Sequence, residues 1–167
     1  MDLESSARLA GFALAHAAWS ICDATHGVLL TPLLIVDDAG AREMMRFEAS
    51  TQDAAIEEGK RAVTRLSPDV DMWAFAREGL LRLRGSEATQ DVLVVEFAWL
   101  GQEERYAVIQ PYEHASGGEP FRLPGEPMIT CGGELIDAAA SKTLWSALND
   151  GARAHPGVTD LWDEWRR

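Results

Sequence analysis

The stretch 91–112, DVLVVEFAWLGQEERYAVIQPY, constrains the fold more than any other part of the chain. Two runs rich in β-branched and aromatic residues flank a polar turn at 101–104, the pattern of an antiparallel hairpin. In such a hairpin successive side chains point to opposite faces. Pairing Trp99 with Tyr106 and counting back places Phe97 with Val108, Val95 with Gln110 and Leu93 with Tyr112. That face is bulky and aromatic and is expected to meet helices. The other face carries Leu100 with Arg105, Ala98 with Ala107, Glu96 with Ile109 and Val94 with Pro111. Glu96 is thus a carboxylate in an apolar strand, where it needs a partner, water or a function.

A third strand over 72–83, MWAFAREGLLRL, precedes the hairpin through a polar link at 85–90 and makes a meander. Trp73 and Phe75 share one side, and Gly79 predicts a bulge or kink midway. Arg77 then falls opposite Ala98 and diagonal to Glu96, within the roughly 7–8 Å that a long side chain spans. An earlier hairpin is predicted from the apolar run 28–36, the turn Asp37-Asp38-Ala39-Gly40 and the run 41–49. Pro32 would make its first strand an edge strand or a bulged one. Arg42, Arg46 and Glu48 alternate with Met45 and Phe47 and are assigned outward. The face away from the helices is therefore expected to gather Arg42, Arg46, Arg77 and Arg105 around Glu48 and Glu96.

Helices are predicted elsewhere. Over 3–22, Leu9, Phe12, His16 and Trp19 recur at the helical period, with alanines on the opposite side. A second helix opens at Ser50-Thr51-Gln52-Asp53, carries the stripe Ile56, Gly59, Val63 and Leu66, and closes at Ser67-Pro68. A last short strand over 128–131 is broken by Gly132-Gly133, a third helix then covers 135–148, and a short tail over 159–165 docks Trp162 and Trp165 on the same chain. The order is helix, hairpin, helix, meander, long loop, helix. It predicts a single α+β domain over 1–167, in two layers. An antiparallel sheet of about five strands, hairpin plus three-strand meander, is packed on one face by two or three helices.

The chemistry is less legible. A net charge of −12, without a basic cluster, disfavours nucleic acid, whose phosphates demand cationic neutralisation. The uncharged run 9–22 is too short to span a membrane, and the acidic start before it is unlike a secretion signal, so a cytoplasmic protein is expected. There is no CxxC pair, phosphate loop or dinucleotide fingerprint. Cys22, Asp23 and His26 lack a second ligand pair, so neither metal nor cofactor is assigned. His16 reads as a core histidine. His114 and Ser116 lie in the Gly- and Pro-rich loop 113–127, a length that favours function, but no GxSxG elbow accompanies them.

With no catalytic motif, binding rather than catalysis is the expectation. An inhibitor- or immunity-type protein for a basic partner is its concrete form. The alternative is a small-molecule-binding protein or enzyme with a pocket on the sheet face or under the 113–127 loop. A homodimer through Val94, Ala98 and Leu100 is a third reading. The candidate binding residues are Glu96, Arg77, Arg105, Arg46, Arg42 and His114.

Overall fold

A computed structural model describes residues 2–24 and 28–167. His26, considered above with Cys22 and Asp23, lies outside the described residues. The described elements are α1 (Leu3–Ile21), β1 (Leu33–Asp38), β2 (Ala41–Arg46), α2 (Gln52–Thr64), β3 (Met72–Arg82) and β4 (Thr89–Trp99). They continue with β5 (Tyr106–Pro111), β6 (Met128–Cys131), β7 (Glu134–Leu135), α3 (Ala138–Arg153) and α4 (Trp162–Trp165). The fold is α+β with one antiparallel sheet, ordered β2-β1-β3-β4-β5-β6-β7.

The sheet has seven strands rather than about five. The additional pair is β6, where a last short strand over 128–131 was expected, and the unexpected β7; Gly132-Gly133 joins them with φ of 58° and 87°. Two left-handed residues in succession make the tight hairpin turn that glycine allows. The segment expected to run straight into a helix instead turns back, and α3 starts only after Asp137 caps Ala139 and Ala140.

Helices cover both faces, not one. Leu33, Ile35, Ala74, Val95 and Phe97 belong to the larger core with α1 and α3. Leu34, Val36 and Phe75 point the other way, and with Val63 of α2 they form a second, smaller core. Gly59 lets α2 lie directly on the Phe75 ring, since a Cβ there would collide with it. Thr51 caps this helix by accepting from the Ala54 N–H. In the larger core α1 and α3 are held still closer. A Cβ on Gly11 would strike the Leu148 carbonyl, and one on Gly151 the Arg8 carbonyl. The alanine side of α1 thus serves the close approach that its small side chains permit.

Two strand expectations need correction. Pro32 sits just before β1, which is flanked by β2 and β3 and is not an edge. Its missing N–H removes no ladder bond, and its carbonyl accepts from Phe47. Gly79 makes no bulge: pairing of β3 with β4 is unbroken from Met72–Trp99 to Arg82–Thr89. In the β4–β5 hairpin Tyr106 pairs with Phe97 instead of Trp99. A slip of two residues changes partners but keeps each side chain on its face.

The loop after β5 is itself folded. Glu113 and Arg122 exchange two backbone hydrogen bonds, as do Ser116 and Glu119. Phe121 and Leu123 are buried, and Leu123 N donates to the Trp165 carbonyl. That bond seats the tail, whose Trp162 and Trp165 are both buried on the chain's own body.

Candidate functional site

Arg77 and Glu96 come together as a diagonal pair, with Arg77 opposite Val94 and Glu96 opposite Phe75. Arg77 Nε lies 3.8 Å from Glu96 Oε2, with a quarter of each side chain exposed. Arg105 stacks its guanidinium 5.4 Å from the centre of the Trp73 ring, whose strand parity matches that of Arg77.

The other two arginines do not join them. In the β1–β2 register Asp37 faces Arg42 and Leu33 faces Arg46, so both arginines share the α1 side of the sheet with Leu33 and Ile35. Arg42 donates to Asp37 and lies 4.7 Å over the Phe12 ring. Arg46 Nη2 approaches His16 Nε2 at 3.0 Å. The four-arginine face is therefore split in two by the sheet. The cause is α2, which takes the side of β1 and β3 that was expected to face solvent. Glu48 lies beyond β2, exposed. Val94 and Ala98, two members of the proposed dimer patch, are already buried within the chain, while Leu100 is exposed past the end of β4.

A different constellation forms around His114. Strand β3 outruns its neighbour: β1 pairs with Met72 to Ala76 only. Among the described residues, 77–82 have a strand partner on the β4 side alone. A cleft of about 870 Å³ opens over this free edge, between the first half of α2 and the end of β5. Its walls include Leu29, Ile56 and Leu80, and its polar groups include Lys60, Asp91 and His114. Because it straddles an edge, it receives Arg77 and Gly79 from one face of β3 and Glu78 from the other. A cavity of about 700 Å³ under the 113–122 hairpin adjoins it through Asp91, Tyr112 and His114.

Glu78 is the unusual group. It is 7% exposed, on the core side of β3. Tyr112 Oη donates to its Oε1 at 2.5 Å. With that proton committed, the 3.4 Å contact between Tyr112 Oη and His114 Nε2 is satisfied by the histidine N–H donating. The result is a directional relay, His114 to Tyr112 to Glu78. Oε2 of Glu78 is buried and accepts no hydrogen bond among the described residues. The Leu30 N–H favours the charged form of the carboxylate.

Burial pushes the Glu78 pKa above its ordinary value; the Tyr112 hydrogen bond works against this and the Asp91 charge works with it. Burial, followed by the hydrogen bond to Glu78, likewise raises the tyrosine. A carboxyl in this state holds a proton more readily than a surface glutamate and lacks a donor. It can serve as a proton acceptor or as an anchor for a donor group on a ligand.

Of these residues only His114 and Arg77 belonged to the candidate set. The signal for Glu78 was present in the alternation of Ala74, Ala76 and Glu78. It was masked by the bulk of Trp73 and Phe75, which drew the reading of this strand to their own side. Under an alanine-rich helix the small side chains mark the closer packing.

The chain matches no family model, no curated protein and no solved structure.

Proposed function

We propose that the chain is a small-molecule-binding protein whose site is the cleft along the free edge of β3. The observation that supports this best is Glu78: a buried carboxyl lining a cleft of about 870 Å³, one oxygen held by Tyr112 and the other without a donor among the described residues. Leaving a buried acceptor unmade costs about 1–3 kcal/mol, a cost that a ligand donor removes. Convergent polar groups in an otherwise apolar concavity are the ordinary anatomy of a ligand site. Leu29 and Leu80, 52% and 69% exposed, supply apolar surface for such a ligand to cover.

The test is a fragment screen followed by amide-detected NMR on the isotopically labelled chain. Binders are expected to shift Ile56, Gly79, Leu80 and Asp91, and to lose affinity in Glu78→Gln. Binders that map instead to the Arg105–Trp73 surface, or a screen without hits, would overturn this reading.

A further inference from the structure

The charges around the cleft narrow the class of ligand, an inference that rests on the reading just proposed. Four carboxylates line it: Asp53, Glu57, Glu78 and Asp91. Its two permanent cations, Lys60 and Arg77, each have a carboxylate neighbour outside the Glu78–Asp91 pair, although Arg77 Nε makes no hydrogen bond among the described residues. Lys60 Nζ is bound to Glu57 at 2.9 Å, and Arg77 turns towards Glu96. Neither ion pair includes Glu78 or Asp91; beside them in the cleft stands His114, whose positive form favours ionised Glu78. Glu78 and Asp91 also repel each other, since the Asp91 charge opposes ionisation of Glu78.

Buried Oε2 of Glu78 is an independent sign. It calls for an N–H or O–H donor from the cavity side, and the adjacent negative charge favours a donor that is positively charged. Two carboxylates alone make a poor cage for a calcium or magnesium ion, which needs six or more oxygens or ordered water. Among the described residues no group of three metal-binding side chains is present. The walls are aliphatic, at Leu29, Ile56 and Leu80. We infer that the cleft takes an organic cation: a protonated primary amine seated between Glu78 and Asp91, carrying an apolar body that covers Leu29 and Leu80.

Three probes of one shape and different charge test this by calorimetry on the full chain: phenethylamine, phenethyl alcohol and phenylacetate. Phenethylamine is expected to bind at least about tenfold more tightly than either of the others, the factor that one charge-assisted hydrogen bond supplies. Glu78→Gln and, separately, Asp91→Asn should each reduce that preference by about tenfold, with circular dichroism confirming that both variants are folded. Because Asp91 is only partly buried, its variant keeps the test meaningful if Glu78→Gln is unstable. Equal or tighter binding of the alcohol or the acid in the cleft would overturn the amine assignment and leave the binding site standing. Failure of all three probes, together with a fragment screen without hits, would overturn both.

Discussion

Two buried polar clusters sit on the α1 side of the sheet, and their hydrogen-bond accounts err in opposite directions. At the free end of β3, Glu78 has an acceptor too many. Where α1 meets the end of α3, the cluster of His16, His155 and Arg46 has a donor too many. Gly157 N donates to His155 Nδ1 at 3.1 Å, so His155 Nε2–H must donate to His16 Nδ1 at 2.9 Å. The proton of neutral His16 is then on Nε2, facing the Arg46 guanidinium at 3.0 Å, donor against donor. Swapping tautomers moves the mismatch along the chain without removing it.

The two faults have different remedies. Arg46 lies on an exposed edge strand and can turn its surplus N–H to water. Glu78 Oε2 is sealed from bulk water, in a residue that lines the cleft. A surplus at the surface is a structural detail, whereas a deficit facing a cavity points to a ligand. The histidine pair is also stacked among Phe12 and Trp19, as a core histidine would be.

The comparison can be broken by pH, because the two clusters respond with opposite sign. Burial first, then His155 and Arg46, lowers the His16 pKa from 6.5 to about 4. Stability from keeping it neutral is present above 6.5 and is lost as pH falls through the folded value. Unfolding in urea should show about 2–3 kcal/mol lost between pH 7 and pH 4. His16→Asn should flatten that slope, and an unchanged slope would remove the histidine cluster from the account.

Glu78 runs the other way. Its raised folded pKa makes the native state hold the proton more tightly, so its contribution falls as pH rises from 4.5 through that value. Tyr112→Phe removes the donor to a buried carboxyl and should cost about 2 kcal/mol at pH 7. Glu78→Gln should instead gain about 1 kcal/mol at pH 7, with the gain vanishing below pH 4.5. A loss in Glu78→Gln at pH 7 would mean that the carboxylate is satisfied after all. The smallest effect is expected for Arg46→Gln. Stability should stay within about 0.5 kcal/mol, while the His16 pKa, followed by imidazole NMR, rises from about 4.

The reach of the sequence follows the same physics. Alternation in 91–112 placed Phe97, Val95 and Leu93 on the α1 side even though the register was two residues off, because a slip of two preserves the face. The cap at Thr51 and the pairing of Arg77 with Glu96 were legible for similarly local reasons. Which face each helix covers was not local. Nothing near Gly59 says that α2 crosses to the opposite side of the sheet, and that one placement moved Arg42 and Arg46 away from Arg77. The cleft was hidden for a related reason. It depends on β1 ending its pairing at Ala76, a property of two distant strands together. His114 was singled out for its loop, but its neighbours Tyr112 and Glu78 became a cluster only once β3, β4 and β5 lay side by side.

The glycine contact between α1 and α3 has a consequence in time. His16 and His155, next to that contact, are 139 residues apart in the chain. At about 5–20 residues per second of synthesis, α1 waits roughly 7–30 s for the helix that fits against its backbone. The native core is thus closed by its latest long helix, and a ribosome-bound chain that stops before 138 carries α1 with one flank still bare to the cell.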